Sequence, residues 1–267
     1  MVDAPGGTWA VLLAGPEDLR PDVVAKALAS FRGIPMADAA MAVRRGRGVV
    51  AERLGQAEAE DFARRLLADG IGAVAIPEST MADLPKAALL GRAVPGPDGL
   101  LVVARPAASR LVPWSRIRLV AIAPFHETTT SKTTVKEGPS GRDMAMRAGI
   151  MAVTGMPVSI GGKKKVEKTV SKTEFHLYLD LLLRDPAERL RVDGGHFDFS
   201  GLGARMAYSS LPNVKALLEE IVRGAPGAVR SPGADLLLAG GRLAALGYDS
   251  VEEFEREERW LGTVVPG

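Results

Sequence analysis

The chain contains three histidines, and each has an acidic residue nearby: His126 with Glu127, His176 with Asp180, and His196 with Asp198. An imidazole beside a carboxylate is typical of metal ligands and of general bases, because the carboxylate raises the basicity of the ring. The sequence has no HxH or HExxH spacing and no Gly-x-Ser-x-Gly motif for a nucleophilic serine. We therefore expect no catalytic residue, no metal and no cofactor. The alternative is an enzyme whose site lies between two domains and uses His176 and Asp180.

A basic segment at residues 140–172 is the second feature of the sequence that could carry a function. Its positive side chains, which we take as candidate binding residues, are Arg142, Arg147, Lys163, Lys164, Lys165, Lys168 and Lys172. Such a segment attracts an anionic partner, either an acidic protein or an anionic membrane surface. Nucleic acid is disfavoured because no aromatic side chain for base stacking is interleaved. The simpler interpretation, which we favour, is a solvated strand edge whose lysines prevent edge-to-edge pairing.

The same segment is rich in methionine, with Met144, Met146, Met151 and Met156. Flexible thioethers suit an adaptable binding face, and a basic amphipathic segment can also rest on a membrane surface. We favour an inserted helix that packs on its own domain. A phosphate-binding loop is excluded over residues 155–164, because Pro157 stands where a glycine is required and Lys164 replaces the Ser/Thr hydroxyl.

Composition limits the remaining possibilities. The chain has 267 residues, 46% of them hydrophobic, and no cysteine, which excludes disulfides, thiolate nucleophiles and cysteine-based zinc sites. The net charge of +2 is a cancellation, since residues 85–224 carry +8 and the two flanking segments carry −3 each. Residues 1–14 lack a basic n-region, and the sequence has no apolar run of membrane-spanning length, so we expect a soluble cytoplasmic protein.

Residues 1–80 are predicted to form a small β-α-α-β-α-β domain. The apolar run Thr8–Ala14 indicates a buried strand that ends at Gly15-Pro16. The clearest helix has apolar residues at helical spacing, namely Ala59, Phe62, Ala63, Leu66 and Leu67. The stretch from TWAVLLAGPEDL to GIGAVAIPE, residues 8–78, resembles the fold shared by the Clp-protease adaptor and the C-terminal domain of the ribosomal stalk protein. This resemblance implies a protein-recognition module.

The adaptor family binds the N-terminal amine and first side chain of a substrate through an Asn-Asp pair after the first strand and a histidine on the second helix. The corresponding stretches here are Ala14–Asp18 and Val43–Arg45, which contain neither the asparagine nor the histidine. The resemblance therefore predicts the fold and recognition in general, without the residues that bind degrons.

Residues 99–226 are predicted to form an antiparallel β-barrel or sandwich. Apolar residues alternate along residues 116–123 and 173–183, and the second run places Phe175, Leu177, Leu179 and Leu181 on one face. An amphipathic helix follows, with Val214, Leu217, Leu218 and Ile221 in one stripe. Strands followed by such a capping helix, with Trp114 just before a strand, resemble a bacterial pleckstrin-homology-like barrel.

The predicted fold class is thus α+β: a domain at 1–80, a linker at 81–98, a barrel at 99–226 with an inserted flexible or helical segment at 124–162, and a helical tail at 227–267. The tail contains a helix from Val251 with Ser250 and Glu253 as a capping box, and we expect it to dock on the barrel. The predicted function is non-enzymatic binding, as a cytoplasmic adaptor or scaffold for another protein. Peripheral membrane association through residues 140–172 is the second possibility.

Overall fold

The computed structural model describes residues 7–104, 109–137, 164–185 and 187–264, with backbone alone at 104, 126–137 and 164–174. Two compact units can be distinguished, one formed by residues 1–125 and 175–267 and the other by residues 126–174. The first unit contains every side chain whose contacts are described below. The second contains parts of strands β7 and β8.

The strands are β1 (Trp9–Leu13), β2 (Val49–Leu54), β3 (Ala73–Pro77), β4 (Ala87–Pro95), β5 (Gly99–Ala104), β6 (Ser109–Pro113), β7 (Ile117–Glu137), β8 (Lys164–Leu183), β9 (Glu188–Asp193) and β10 (Val229–Arg230). The α-helices are α1 (Pro21–Arg32), α2 (Met36–Gly46), α3 (Gln56–Ala68), α4 (Ser210–Gly224), α5 (Pro232–Leu238) and α6 (Val251–Val264). Mixed helices and strands confirm the predicted α+β class.

The N-terminal region has the predicted β-α-α-β-α-β order. Its three strands form an antiparallel sheet in the order β2-β1-β3, so the first strand of the chain is central. The apolar stripe of α3 packs inward as its spacing predicts except at Leu67, which is 57% exposed. Phe62 of the stripe stacks on Phe31 of α1 at 4.1 Å between ring centroids. Gly33 ends α1 in the left-handed conformation, where glycine has no steric cost.

The expected barrel is wrong. The second sheet is open and mixed, with seven strands in the order β10-β7-β8-β9-β4-β5-β6 among the described residues, and the β4–β9 and β7–β10 pairs are parallel. Alternation identified the strands because it reports which side of a strand is buried. It carries no information on strand order or direction, and those two properties decide whether a sheet closes.

Two expected irregular segments are partly strands. Residues 87–95 of the expected linker at 81–98 form β4, which pairs with both β5 and β9. Within the expected insertion at 124–162, residues 124–137 belong to β7. The threonine-rich run there has the β-branched side chains that favour strands. Residues 138–162 of that insertion lie outside the described residues.

One face of the larger sheet packs on α4. Leu177, Leu179 and Leu181 of β8 are buried there with Val214 and Leu217 of the helix, as predicted. Phe175 is the exception on β8, because it is 56% exposed. No helix in the described ranges has the length and apolarity needed to cross a membrane.

The last helix, α6, packs at the centre of the first unit. Trp260 and Leu261 belong to the same apolar cluster as the N-terminal sheet, together with Leu119 of β7 and Leu182 of β8. On another side of the helix, Phe254 packs against Phe125, Tyr178 and Tyr248. The helix is therefore not a tail on the surface of a barrel, since it joins the N-terminal layer to the larger sheet.

Candidate functional site

The basic residues proposed from the sequence lie largely beyond what the structure describes. Arg142, Arg147 and Lys163 are outside the described residues, and Lys164, Lys165, Lys168 and Lys172 lie on the part of β8 for which only the backbone is described. Their role as binding residues stays a prediction.

Two of the three histidines converge on one carboxylate. His196 Nδ1 lies 2.9 Å from Asp193 Oδ2, and His176 Nδ1 lies 3.7 Å from the same oxygen. Asp193 stands at the end of β9, directly opposite Tyr178 of β8. The described residues contain no group of three or more acidic or histidine side chains placed to hold a metal ion. The His126 side chain is outside the described part of the chain.

Asp180 does not pair with His176, as an interdomain active site would need. It is fully buried, and Arg191 Nε and Nη2 donate to its two oxygens at 2.8 and 2.7 Å. Asp180 and Arg191 are direct cross-strand neighbours on β8 and β9, so their side chains rise from the same face of the sheet. A carboxylate that is fully buried and bound through both oxygens by a guanidinium is neutralised and out of reach of a substrate in solution.

Helix α6 covers this ion pair and contributes further acids to it. Arg189 of β9 donates to Glu255 at 2.7 Å and to Glu258 at 3.1 Å. Burial raises the pKa of Glu258 well above its ordinary value, and the neighbouring Asp180 raises it further. The sequence shows α6 as an ordinary acidic helix, and nothing in its spacing signalled that Glu257 and Glu258 are both buried.

A second buried acid lies one residue earlier. The Tyr248 hydroxyl donates to Glu257, with O–O distances of 2.8 and 2.9 Å to the two carboxyl oxygens. Burial raises the pKa of Glu257 to about 7, although the Tyr248 hydrogen bond and the charge of Arg47 act in the opposite direction. Arg47 stacks on the Tyr248 ring at 3.9 Å and donates to Glu253 at 2.8 Å.

The described surface has two sizeable open clefts. One, of about 810 Å³, lies beside the loop after β1 and is lined by Glu17, Arg230 and Asp235 among others. The other, of about 740 Å³, lies beside β2 and includes Arg32, Arg53 and Arg256. Near the first cleft, Asp18 accepts the Gly72 N–H at 2.7 Å. This carboxylate thus holds two loops of the chain together.

An apolar row crosses the free end of the larger sheet and consists of half-buried Val94 and exposed Leu101 and Leu111, which we call the exposed apolar row. Leu101 of β5 lies directly opposite Val94 of β4 on one side and Leu111 of β6 on the other. Leu101 is 41% exposed and Leu111 51%, whereas the intervening Leu100, Val102 and Val112 point into the core. Leu101 and Leu111 therefore place apolar side chains on the outer face of the sheet, where they stay in contact with solvent.

This surface was not among the residues proposed from the sequence. The signal was present in β5, whose residues Gly99–Ala104 form a continuous apolar run rather than an alternating one. A run of that kind is typical of a strand covered on both faces. No family model matches the chain, and no curated protein or solved structure was found to be similar to it.

Proposed function

We propose that the protein is a non-enzymatic adaptor or scaffold that binds another protein in the cytoplasm, with the free end of the larger sheet as its docking surface. The exposed apolar row is the observation that carries this proposal. Apolar side chains that stay in water are unfavourable for the free energy of the protein. A partner that covers the row removes them from water, and this burial favours binding.

The edge strand supports the same proposal. β6 is the outermost strand of the sheet in the described part of the chain, so one side of its backbone is available for hydrogen bonding. Edge strands are commonly protected by an exposed charge that faces an incoming strand. The only charged side chain of β6, Arg110, is instead bound to Glu188 of β9, with its Nη1 donating at 3.3 Å.

The occupant that suits this surface is an extended segment of another protein. Such a segment would add a strand to β6 through main-chain hydrogen bonds and place alternate apolar side chains against Leu101 and Leu111. The basic residues at 142–172 would attract a partner that is acidic beyond this segment. The absence of cysteine is compatible with a cytoplasmic protein.

An enzymatic role has less support in the described residues. The acid proposed for it, Asp180, is bound by Arg191, and His176 faces Asp193 instead. Glu257 and Glu258, whose pKa values are raised by burial, line neither of the two open clefts.

Site-specific photocrosslinking in cells tests the proposal. A photoreactive residue at position 111 should give a crosslink to a second protein species, and one at the equally exposed Leu67 on α3 should not. Adding Leu101→Lys to the labelled protein should reduce the crosslink about tenfold or more, because each covered leucine is worth roughly 1.5–3 kcal/mol. Leu67→Lys in the same background is the matched control.

Three outcomes would overturn the docking surface. These are equal crosslinking at positions 67 and 111, a crosslink at 111 that joins only segments of the same chain, or capture unaffected by Leu101→Lys. A crosslink between two copies of the chain would replace the proposed partner with self-association. Charge reversal at Lys163, Lys164 and Lys165 should weaken capture at low salt only, because the attraction is screened at high salt.

A further inference from the structure

Helix α6 rests on a buried group of charges in which acids outnumber bases. Asp180 and Glu258 are fully buried, and Arg189 and Arg191 are nearly so. The fifth member, Glu255, has a side chain that is 36% exposed. Three acids therefore face two arginines in a space largely closed to water.

The hydrogen bonds identify which acid is in excess. Arg191 satisfies Asp180, and Arg189 is shared between Glu255 and one oxygen of Glu258. The second oxygen, Glu258 Oε1, is buried with no hydrogen-bond partner among the described residues when both acids are treated as ionised. A carboxylate oxygen buried without a donor is strongly unfavourable, whereas a protonated carboxyl oxygen is itself a donor.

We propose that α6 is held by a pH-sensitive lock: Glu258 carries a proton that it shares with Asp180 while the helix is docked, and loss of this proton loosens the helix. With Glu258 neutral, two arginines face two carboxylates and the group is balanced. The direction of the shift in the pKa of Glu258, caused first by burial and then by Asp180, agrees with this assignment.

Other charged and titratable groups contact α6 and also affect the pH dependence of its stability, so the test must leave them unchanged. On the side of the N-terminal layer, Arg47, Tyr248 and Glu253 surround Glu257, and on β7 the Arg118 guanidinium donates to the Gly262 carbonyl at 3.2 Å. Glu257 titrates near neutral pH as well. A comparison of two proteins that differ only at residue 258 leaves these contributions in place.

The test is the pH dependence of unfolding for the wild type and Glu258→Gln. Glutamine keeps the shape and the donor of a protonated acid and cannot ionise. Above about pH 4.5, where residue 258 ionises in the unfolded chain, the unfolding constant of the wild type should rise with pH more steeply than that of the variant, by up to about tenfold per pH unit. The two proteins should converge in acid, with the variant the more stable at alkaline pH.

If Glu258 were ionised in the folded protein, the comparison would give the opposite result. An ionised Glu258 paired with Arg189 would make Glu258→Gln less stable than the wild type at neutral pH, with no difference in slope, and this outcome would overturn the lock. Glu58→Gln, at an exposed position of α3, is the matched control and should leave the slope unchanged.

Two measurements on proteins that keep Glu258 decide the question even if Glu258→Gln does not fold. Infrared spectroscopy of Glu257→Gln should show the carbonyl band of a protonated carboxylic acid at neutral pH, lost as pH rises; absence of the band contradicts the proposal. Hydrogen exchange, corrected for its intrinsic pH dependence, should show amides of α6 losing protection with rising pH before those of α3 do. Loss of protection in both helices together would mean global unfolding and not a local lock.

Discussion

Glu257 is the side chain whose ionisation is easiest to connect to stability. It lies 2% exposed beneath Tyr248, and burial raises its pKa to about 7 from an ordinary value of 4.5. A carboxyl with a raised pKa stabilises the folded protein fully below its unfolded value, and this contribution is lost as pH rises through the folded value. Acid should therefore strengthen this part of the core.

We expect Glu257→Gln to raise the free energy of unfolding at about pH 8 by up to about 3 kcal/mol, because glutamine cannot ionise and still accepts the Tyr248 hydrogen bond. The gain should shrink between about pH 7 and pH 4.5 and vanish below that, as measured by urea unfolding at each pH. Glu252→Gln is an informative control, since a hydrogen bond with Ser250 lowers the pKa of Glu252. Its effect should have the opposite sign, and a gain at alkaline pH in both variants would contradict the assignment.

At the scale of elements, the contact between α6 and the turn before β2 depends on a glycine. Gly48 has a φ of +92°, and a Cβ there would lie 2.0 Å from the Cδ2 atom of Trp260. The Trp260 indole N–H also donates to the Leu13 carbonyl at 2.7 Å, which fixes the ring against β1. The ring therefore cannot move aside without losing that hydrogen bond.

Gly48→Ala should lower the free energy of unfolding by about 2–4 kcal/mol, the sum of left-handed backbone strain and a forced displacement of the indole. Gly46→Ala, two residues earlier at the end of α2, has open space around its Cβ and should be neutral or slightly stabilising. Denaturant unfolding of both variants decides the matter, and equal effects would show that Trp260 is not the cause.

Helices and strands could be predicted from the sequence where their buried residues recur at the spacing of a helix or a strand. Two patterns that depend only on neighbours in the sequence are confirmed, namely the α3 stripe apart from Leu67 and the alternation over Leu177–Leu181. Sheet order, the parallel β4–β9 pair and the position of α6 depend on segments far apart in the chain. The apolar row was not predicted because a leucine such as Leu101 within an apolar run is expected to be buried in the core. Only its exposure in the structure makes it a candidate binding residue.

At the scale of the whole molecule, α6 joins the N-terminal layer to the larger sheet, although the helix lies far from both β1 and β2 in the sequence. Its residues share one apolar cluster with β1 and with Leu119 and Leu182 of the larger sheet. Ion pairs add to this connection, since Arg44 and Arg47 of the N-terminal region bind Asp249 and Glu253. The N-terminal layer is thus stabilised by residues more than 200 positions away.

A chain that ends at residue 250 should lose cooperative folding. Without α6, the apolar side chains around Trp260 face water and Arg189 and Arg191 lose two of their acids, so the N-terminal layer and the sheet should melt separately or aggregate. Calorimetry of the full chain should show one transition for this unit. Trp260→Phe keeps most of the packing and is the control, which should lower the melting temperature while leaving a single transition. A truncated chain that retains one sharp transition would contradict this role of α6.

The place of α6 in the sequence has a consequence for biosynthesis. During translation the N-terminal β-α-α-β-α-β region leaves the ribosome first, yet its core is completed only by Trp260 and Leu261. Until α6 has left the ribosome, this region presents an open apolar surface to the cell, which is the kind of surface that chaperones retain. Ribosome-bound nascent chains should therefore stay sensitive to protease in this region until α6 has emerged, so that synthesis of a helix more than 200 residues away sets the moment at which the region folds.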